Sequence, residues 1–306
     1  MISFRYHLVS IIAVFLALAL GIIVGASGLR GPVLDDLHKQ VATLKGENSK
    51  LRGQNDQLAE QFNSSNRFAS TFASKILKDT LSGNTVAIIS APGADSSIAK
   101  GIRTAVELGG GTVTTQLSIT QAWAQPSHAD ALIRFVTGSA HPAGLNYPDS
   151  TDAPTLGAVL LSYVLSGKGG ENSLLTVARG LSQLGLVSVS DNPKVPRPAQ
   201  LVVLVTSGAH PAKDERTQAM LSMITEFSTT SLPTMVGGDL AAAQPSGLIA
   251  VVRSDKVSEL VSTVDDADSA LGQVASAQAL AGLLTNVVGQ YGTGPGAKEL
   301  FPAQSR

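Results

Sequence analysis

The sequence LVVLVTSGAH, residues 201–210, contains the feature that decides the fold. Residues 201–205 are all apolar, a glycine-containing turn follows, and a helical pattern then runs over residues 214–227. Strands that are apolar on both faces and are followed by helices are typical of parallel sheets covered on both sides. This unit therefore predicts a doubly wound α/β domain.

The same alternation extends outward from this unit in both directions. Short apolar runs predict further strands at residues 86–90, 112–117, 186–189, 234–236 and 248–252. Helical patterns separate them at residues 95–108, 130–137, 155–165, 173–184 and 266–288. We therefore predict one mainly parallel α/β domain over residues 85–288, followed by an irregular Gly/Pro-rich tail over 289–306.

A long apolar segment begins the chain. Residues 8–29 contain no charged side chain, and as a helix they would span roughly 33 Å, enough for the hydrocarbon core of a bilayer. We predict a transmembrane anchor over residues 1–30, with the short head in the cytoplasm and the remainder extracytoplasmic. The alternative is a signal peptide cleaved after Ala26 or Ser27. The sequence leaves both the inner and the outer membrane open as its location.

A heptad pattern occupies residues 31–82, before the α/β domain. Leucines recur every seven residues at position d, and Val41 shares position a with Asn48 and Asn55. This combination favours a parallel coiled-coil homodimer, or a higher oligomer. The predicted interface consists of Leu37, Val41, Leu44, Asn48, Leu51, Asn55 and Leu58. The alternative is a single amphipathic helix that packs on its own globular domain.

The composition excludes several classes of function. The 306 residues carry 22 basic and 23 acidic side chains, so there is no electrostatic footprint for nucleic acid. The sequence has no cysteine, which excludes disulfides, thiolate metal sites and cysteine nucleophiles. No nucleotide-binding glycine motif, nucleophile elbow or other nucleophile–base constellation is present, so we predict no catalytic residue, no cofactor-binding residue and no enzyme activity.

Polar turns follow three predicted strands, at residues 92–96, 207–210 and 237–239. Ligands collect at the carboxyl ends of strands in open parallel sheets, so each turn would suit a small polar ligand. However, strand-to-helix turns in any such fold need Gly and a capping Ser or Asp. We favour this structural role.

The candidate metal ligands are sparse, and the metal site is unknown. Met220 and Met223 lie one helical turn apart and could offer thioethers to Cu(I), with His210 or Met235 nearby, although core packing is the commoner use of such a pair. A hard cation could bind an acidic group at Asp265, Asp266 and Asp268. We favour a helix cap instead, with Thr263 as N-cap and the acids in the first turn.

Taken together, these features resemble the mycobacterial copper transport protein B (MctB) family over essentially the whole chain. The resemblance rests on the anchor, the heptads, the α/β domain, and the segments Ser3-Phe4-Arg5-Tyr6-His7, Asp265-Asp266 and Gln290-Tyr291-Gly292. It implies a role in copper homeostasis, described as efflux through a channel in the mycobacterial outer membrane, with copper as the transported ion. Related corynebacterial proteins are associated with cell-envelope assembly and division. No copper-ligand motif of the family maps onto particular residues here.

Two hypotheses follow. In the first, the protein is a membrane-associated cell-envelope protein that acts in copper homeostasis, efflux and transport. In the second, it is a single-pass scaffold, dimerised by its coiled coil, whose extracytoplasmic domain binds an envelope-assembly or cell-division partner.

Overall fold

The chain divides into two compact units, residues 1–64 and 65–306. The structure, a computed structural model, describes residues 4–138, 141–170, 172–190, 193, 195–209, 214–230 and 232–303, with the backbone alone over 26–34. Helix α1 (Phe4–Ile76) forms the described part of the first unit and continues into the second. Its final turns bury Ala69 and Ala73 within the second unit.

The second unit is built on a seven-stranded sheet. Its strands are β1 (Thr85–Ser90), β2 (Thr112–Ile119), β3 (Val187–Val189), β4 (Leu201–Val205), β5 (Thr234–Gly237), β6 (Val261–Val264) and β7 (Gln290–Tyr291). Their order is β3-β2-β1-β4-β5-β6-β7, and every pairing is parallel except that of β3 with β2. The strand order reverses between β1 and β4, so the topological switch point of the domain lies there.

Helices cover both faces of this sheet. They are α2 (Ser96–Leu108), α3 (Pro126–Thr137), α4 (Ala153–Leu165), α5 (Ser173–Gln183), α6 (Glu215–Thr229), α7 (Leu248–Ser254) and α8 (Ala270–Leu283). Alternate residues of β4 pack on opposite faces of the sheet. On one face Val202 and Leu204 pack with α3 to α7. On the other, Leu201 and Val203 pack with α2, α8 and the end of α1. The predicted mainly parallel α/β domain is therefore confirmed.

The strand predicted at residues 248–252 is wrong, because this segment forms α7. Its buried residues are Leu248, Ile249 and Val252, a helical spacing, and the apolar run is too short for its length to exclude a helix. The strand at the corresponding position in the sheet is β6, which follows α7 and the 3-10 helix Lys256–Glu259.

The predicted start of the last helix is also wrong. Thr263 lies in β6, and the N-cap of α8 is Ser269, whose hydroxyl accepts a hydrogen bond from the Gly272 N–H. Helix α8 consequently begins four residues later than the predicted start at residue 266. The segment predicted to be an irregular tail begins instead with β7, whose two residues pair with Thr263 and Val264.

Candidate functional site

Three turns that follow parallel strands meet at the carboxyl edge of the sheet. The Asp95 N–H donates to Ser207 Oγ at 2.9 Å, and the Ser207 hydroxyl donates to the Gly93 carbonyl at 3.3 Å. The Gly208 N–H donates to both carboxylate oxygens of Asp239 at 3.0 Å. The turns after β1, β4 and β5 are therefore joined directly across the switch point.

The acids in these turns act as helix caps. Asp95 accepts from the Ser97 N–H at 2.8 Å at the start of α2, and this hydrogen bond lowers the pKa of Asp95. Asp239 accepts from the Ala242 N–H at 2.8 Å and caps the 3-10 helix Leu240–Ala243. The capping role predicted for these turns is confirmed at both acids, because their oxygens already satisfy backbone donors.

The acids Asp265 and Asp266, which follow β6, differ in their burial and in their partners. Asp265 is fully buried and pairs with Arg253, at 2.7 Å from Nη1 to Oδ2. It also accepts from the Thr293 and Gly294 N–H groups, so it holds the C-terminal segment in place. Asp266 is partly buried, and its Oδ1 has no hydrogen-bond partner in the part of the chain that the structure describes.

Burial and the neighbouring Asp265 carboxylate raise the pKa of Asp266 to about 6. Burial likewise raises the pKa of Asp268. Both shifts arise because the charged form loses hydration and lies close to other acids, Asp239 and Asp95 among them for Asp268. This edge of the sheet is therefore acidic, and among the described residues no basic side chain forms an ion pair with Asp266 as Arg253 does with Asp265.

The methionines do not form a copper site in the described fold. Met220 and Met223 are buried in the cluster that includes Ile224 and Phe227 of the same helix. Met235 is buried in the cluster on the opposite face of the sheet. The core-packing interpretation of the methionine pair is confirmed, and His210 lies outside the described residues, as does Ser3 of the N-terminal head.

No group of three or more His, Cys, Asp or Glu side chains able to hold a metal ion occurs among the residues that the structure describes. His128 bonds to Ser127 and His141 to the Pro142 carbonyl.

A cleft of about 480 Å³ lies at the same edge of the sheet, and sequence analysis missed it. It is lined by the 3-10 helix Gln121–Ala124 that follows β2 and by the first turns of α3, α4 and α6. Trp123 lines it with a side chain that is 2% exposed, and its Nε1 has no acceptor among the described residues. The signal in the sequence is slight: a lone tryptophan shortly after a strand, with Pro126 beginning the next helix.

The cleft combines small apolar residues with a polar rim. Ala124, Ala129 and Ala219 contribute apolar surface, whereas Asp152 and Glu215 contribute carboxylates. The Asp152 carboxylate caps α4 by accepting from the Thr155 N–H and hydroxyl, so it is held in position. A buried indole N–H normally finds a partner, so an acceptor from a bound molecule would satisfy Trp123.

The seven residues predicted to form a dimer interface lie along the first unit, on α1. All of them are exposed in the single chain, with the d-position leucines between 50% and 62% exposed. The structure thus places the seven residues on one helix.

The N-terminal part of α1 has the length and composition of a membrane-crossing helix. The segment Phe4–Gly25 has 22 residues, a mean hydropathy of 2.9 and no buried residue within its most apolar stretch. A signal sequence near an N-terminus has the same properties, so this apolar N-terminal helix suits either role.

Comparisons with known proteins give one consistent result. The family model described as "Copper transport outer membrane protein, MctB" matches residues 1–302. Proteins named "Copper transporter MctB" from Mycobacterium tuberculosis and Mycobacterium bovis are each 30% identical over 318 aligned residues, covering 99% of this chain and 100% of the relative. The Mycobacterium leprae protein of that name is 28% identical over 321, with the same coverage. The similarity therefore includes both units of the chain.

Proposed function

The chain belongs to the MctB family, and from this premise we propose that it is a membrane-associated cell-envelope protein that acts in copper efflux and homeostasis. The observation that carries this proposal is the similarity over the full length to proteins named as copper transporters. The role proposed is transport rather than catalysis, with copper as the ion that is moved.

In this proposal the segment Phe4–Gly25 stays in place as a single membrane anchor. The α/β domain then lies on the extracytoplasmic side, where exported copper arrives. No resident copper site is assigned, because the methionines are divided between two cores and the buried acid Asp265 is already paired. The protein would act on copper together with other envelope components or as an assembly of several copies.

The test is a deletion strain complemented with variants of the chain. We expect deletion to raise cell-associated copper several-fold and to lower growth in added copper, with no change in added zinc. The full-length chain should restore both. A chain whose residues 1–29 are replaced by a cleavable secretion signal should not restore them, since the exported domain would lack its anchor. Unchanged copper content in the deletion strain would contradict the proposal.

A second candidate function is the dimerised scaffold that binds an envelope-assembly or cell-division partner. The exposed heptad leucines favour it, because an apolar stripe of this kind is a protein-contact surface rather than an ion path. Replacing both Leu44 and Leu51 by Asp should then remove function while the α/β domain stays folded. The matched control is Gly46→Asp with Gly53→Asp, on the outer side of the same helix, where no other atom lies within 4 Å of the added carbon. Full activity of the leucine variant would exclude the scaffold.

A further inference from the structure

We propose that residues 37–62 of α1 pair in parallel and in register with the same residues of a second copy. The row of residues at heptad positions a and d forms the heptad stripe. The pairing ends where position a of this stripe begins to pack on the chain's own α/β domain. The proposal rests on and deepens the scaffold function. Its test reads the pairing itself and is independent of copper handling.

The first part of the argument is exposure. Leu44, Leu51 and Leu58 are 60% to 62% exposed, and Val41 and Phe62 are exposed to nearly the same extent. Burying a leucine side chain contributes about 1.5–3 kcal/mol, so leaving a whole row in water forgoes a large stabilisation. A helix of this length also depends on packing for most of its stability. The stripe occupies two positions in seven, the width of a coiled-coil seam.

The second part of the argument concerns the point where the heptad stripe begins to pack on the chain's own domain. Continuing the seven-residue count beyond Phe62 places Ala69 and Ile76 at position a. Ala69 is 2% exposed, and Ile76 packs against the core cluster of α2 and α8. The Asn66 side-chain oxygen accepts from the Ala270 N–H at 3.1 Å at the start of α8. Packing on the chain's own domain therefore accounts for position a of the stripe from Ala69 onward.

The third part is the identity and orientation of the partner. In a parallel, in-register pair Asn48 and Asn55 each face their own counterpart, where two amides can bond to each other. An antiparallel pair would set each asparagine against a leucine and leave a buried amide unpaired, which costs about 1–3 kcal/mol. Parallel pairing also sets Glu47 opposite Arg52 of the second copy, an opposite-charge pair. Two copies with N-terminal anchors in the same membrane already run in the same direction.

The absence of cysteine from the sequence makes disulfide trapping a direct test. Single variants Leu44→Cys and Leu51→Cys of the full-length chain are oxidised in native membranes with 4,4′-dithiodipyridine. In a parallel, in-register pair each thiol lies beside its own counterpart, within reach of a disulfide. We expect most of each variant to run as a covalent dimer. Gly53→Cys, two residues away on the outer side of the helix, should cross-link at least five-fold less.

A third variant, Phe72→Cys, tests where the pairing ends. Phe72 occupies position d but lies beyond Asn66 and is 41% exposed, so its substitution disturbs no fully buried site. We expect it to cross-link no more than Gly53→Cys. Adding Leu44→Asp to Leu51→Cys should lower the dimer fraction several-fold.

Equal cross-linking of the Leu51 and Gly53 variants would overturn the pairing, as would Leu51→Cys linking only to another protein. Strong cross-linking of Phe72→Cys would overturn the proposed end of the seam. Failure here would leave the copper proposal standing, because the deletion strain tests that function separately.

Discussion

Arg253 and Asp265 form an ion pair of 2.7 Å between Nη1 and Oδ2, with side chains only 4% and 0% exposed. Arg253 lies on α7 and also donates to the carbonyls of Tyr291 and Pro295. The two residues therefore join α7, the end of β6 and the C-terminal segment at one point. No local sequence pattern indicates this pair, since its two members are twelve residues apart and lie on different elements.

We predict that Arg253→Met lowers the free energy of unfolding by about 3–5 kcal/mol, because it leaves the Asp265 carboxylate buried and unpaired. Denaturant unfolding of the full-length chain in detergent, followed through the fluorescence of Trp123, the sole tryptophan, measures this loss. Glu107→Gln is the control. It removes a half-exposed pair with Arg103 and should cost less than about 1 kcal/mol. Equal losses in the two variants would contradict the assigned role of burial.

Asp266 should make stability depend on pH. Its pKa is raised to about 6 in the folded chain from an ordinary value of 3.8, so the folded state binds more protons than the unfolded state between these values. The free energy of unfolding therefore falls as the pH rises through this window. Asp266→Asn should be more stable than the parent chain at pH 7.5, by on the order of 1–2 kcal/mol after allowance for solvent screening.

The two chains should have nearly the same stability near pH 3, where Asp266 is largely protonated in both the folded and the unfolded state. Thermal unfolding at the two pH values measures the difference. Asp130→Asn, at an exposed position of α3, controls for the loss of one charge. A stabilisation of Asp266→Asn that persists unchanged near pH 3 would show that the charge is not its cause.

Two glycines of α8 should respond oppositely to alanine. A Cβ at Gly272 would lie 2.0 Å from the Asp266 carbonyl oxygen, so Gly272→Ala must displace backbone and should cost more than about 2 kcal/mol. At Gly282 the nearest atom, the Val287 carbonyl oxygen, is 3.5 Å away, and alanine should gain up to about 1 kcal/mol of helix propensity. Circular dichroism melts of the two variants decide this. Equal melting temperatures would contradict the close approach at Gly272.

The sequence predicted those parts of the fold that depend on local pattern. The five apolar residues of β4 and the strand at 86–90 were found because a continuous apolar run between turns has few other interpretations in an α/β chain. Residues 248–252 were misread because a run of five apolar residues suits a short helix equally well. Strand β6, with the sequence VSTV, was missed because its Ser and Thr are buried by tertiary contacts that no local pattern reveals.

The candidate site likewise contains features that the sequence predicted and features that it did not. Asp95 and Asp239 were recognised as caps because a cap is defined by its neighbours in sequence. The cleft beside Trp123 was not, because it forms only where four elements from residues 121 to 222 converge. The heptad leucines are an intermediate case. Their spacing placed them on one face of the helix, but only the structure revealed that the chain itself covers position a of that face from Ala69 onward.

The last prediction concerns the fate of the N-terminal segment. An anchor retains residues 4–25, whereas a signal peptide would be cut after Ala26 or Ser27 and leave a mature chain without them. We expect the native protein to keep its N-terminus, because the apolar segment is long enough to cross a bilayer and too long for an ordinary signal core. Fractionation of the native membranes, followed by N-terminal sequencing and intact mass, measures this directly.

Replacing Ala26 and Ser27 by Leu blocks cleavage at either position, so this variant should match the native protein in mass, apart from the substitutions, and in membrane fraction. A native chain about 27 residues shorter than the variant, and released by carbonate, would instead identify a secreted protein whose heptads pair without an anchor.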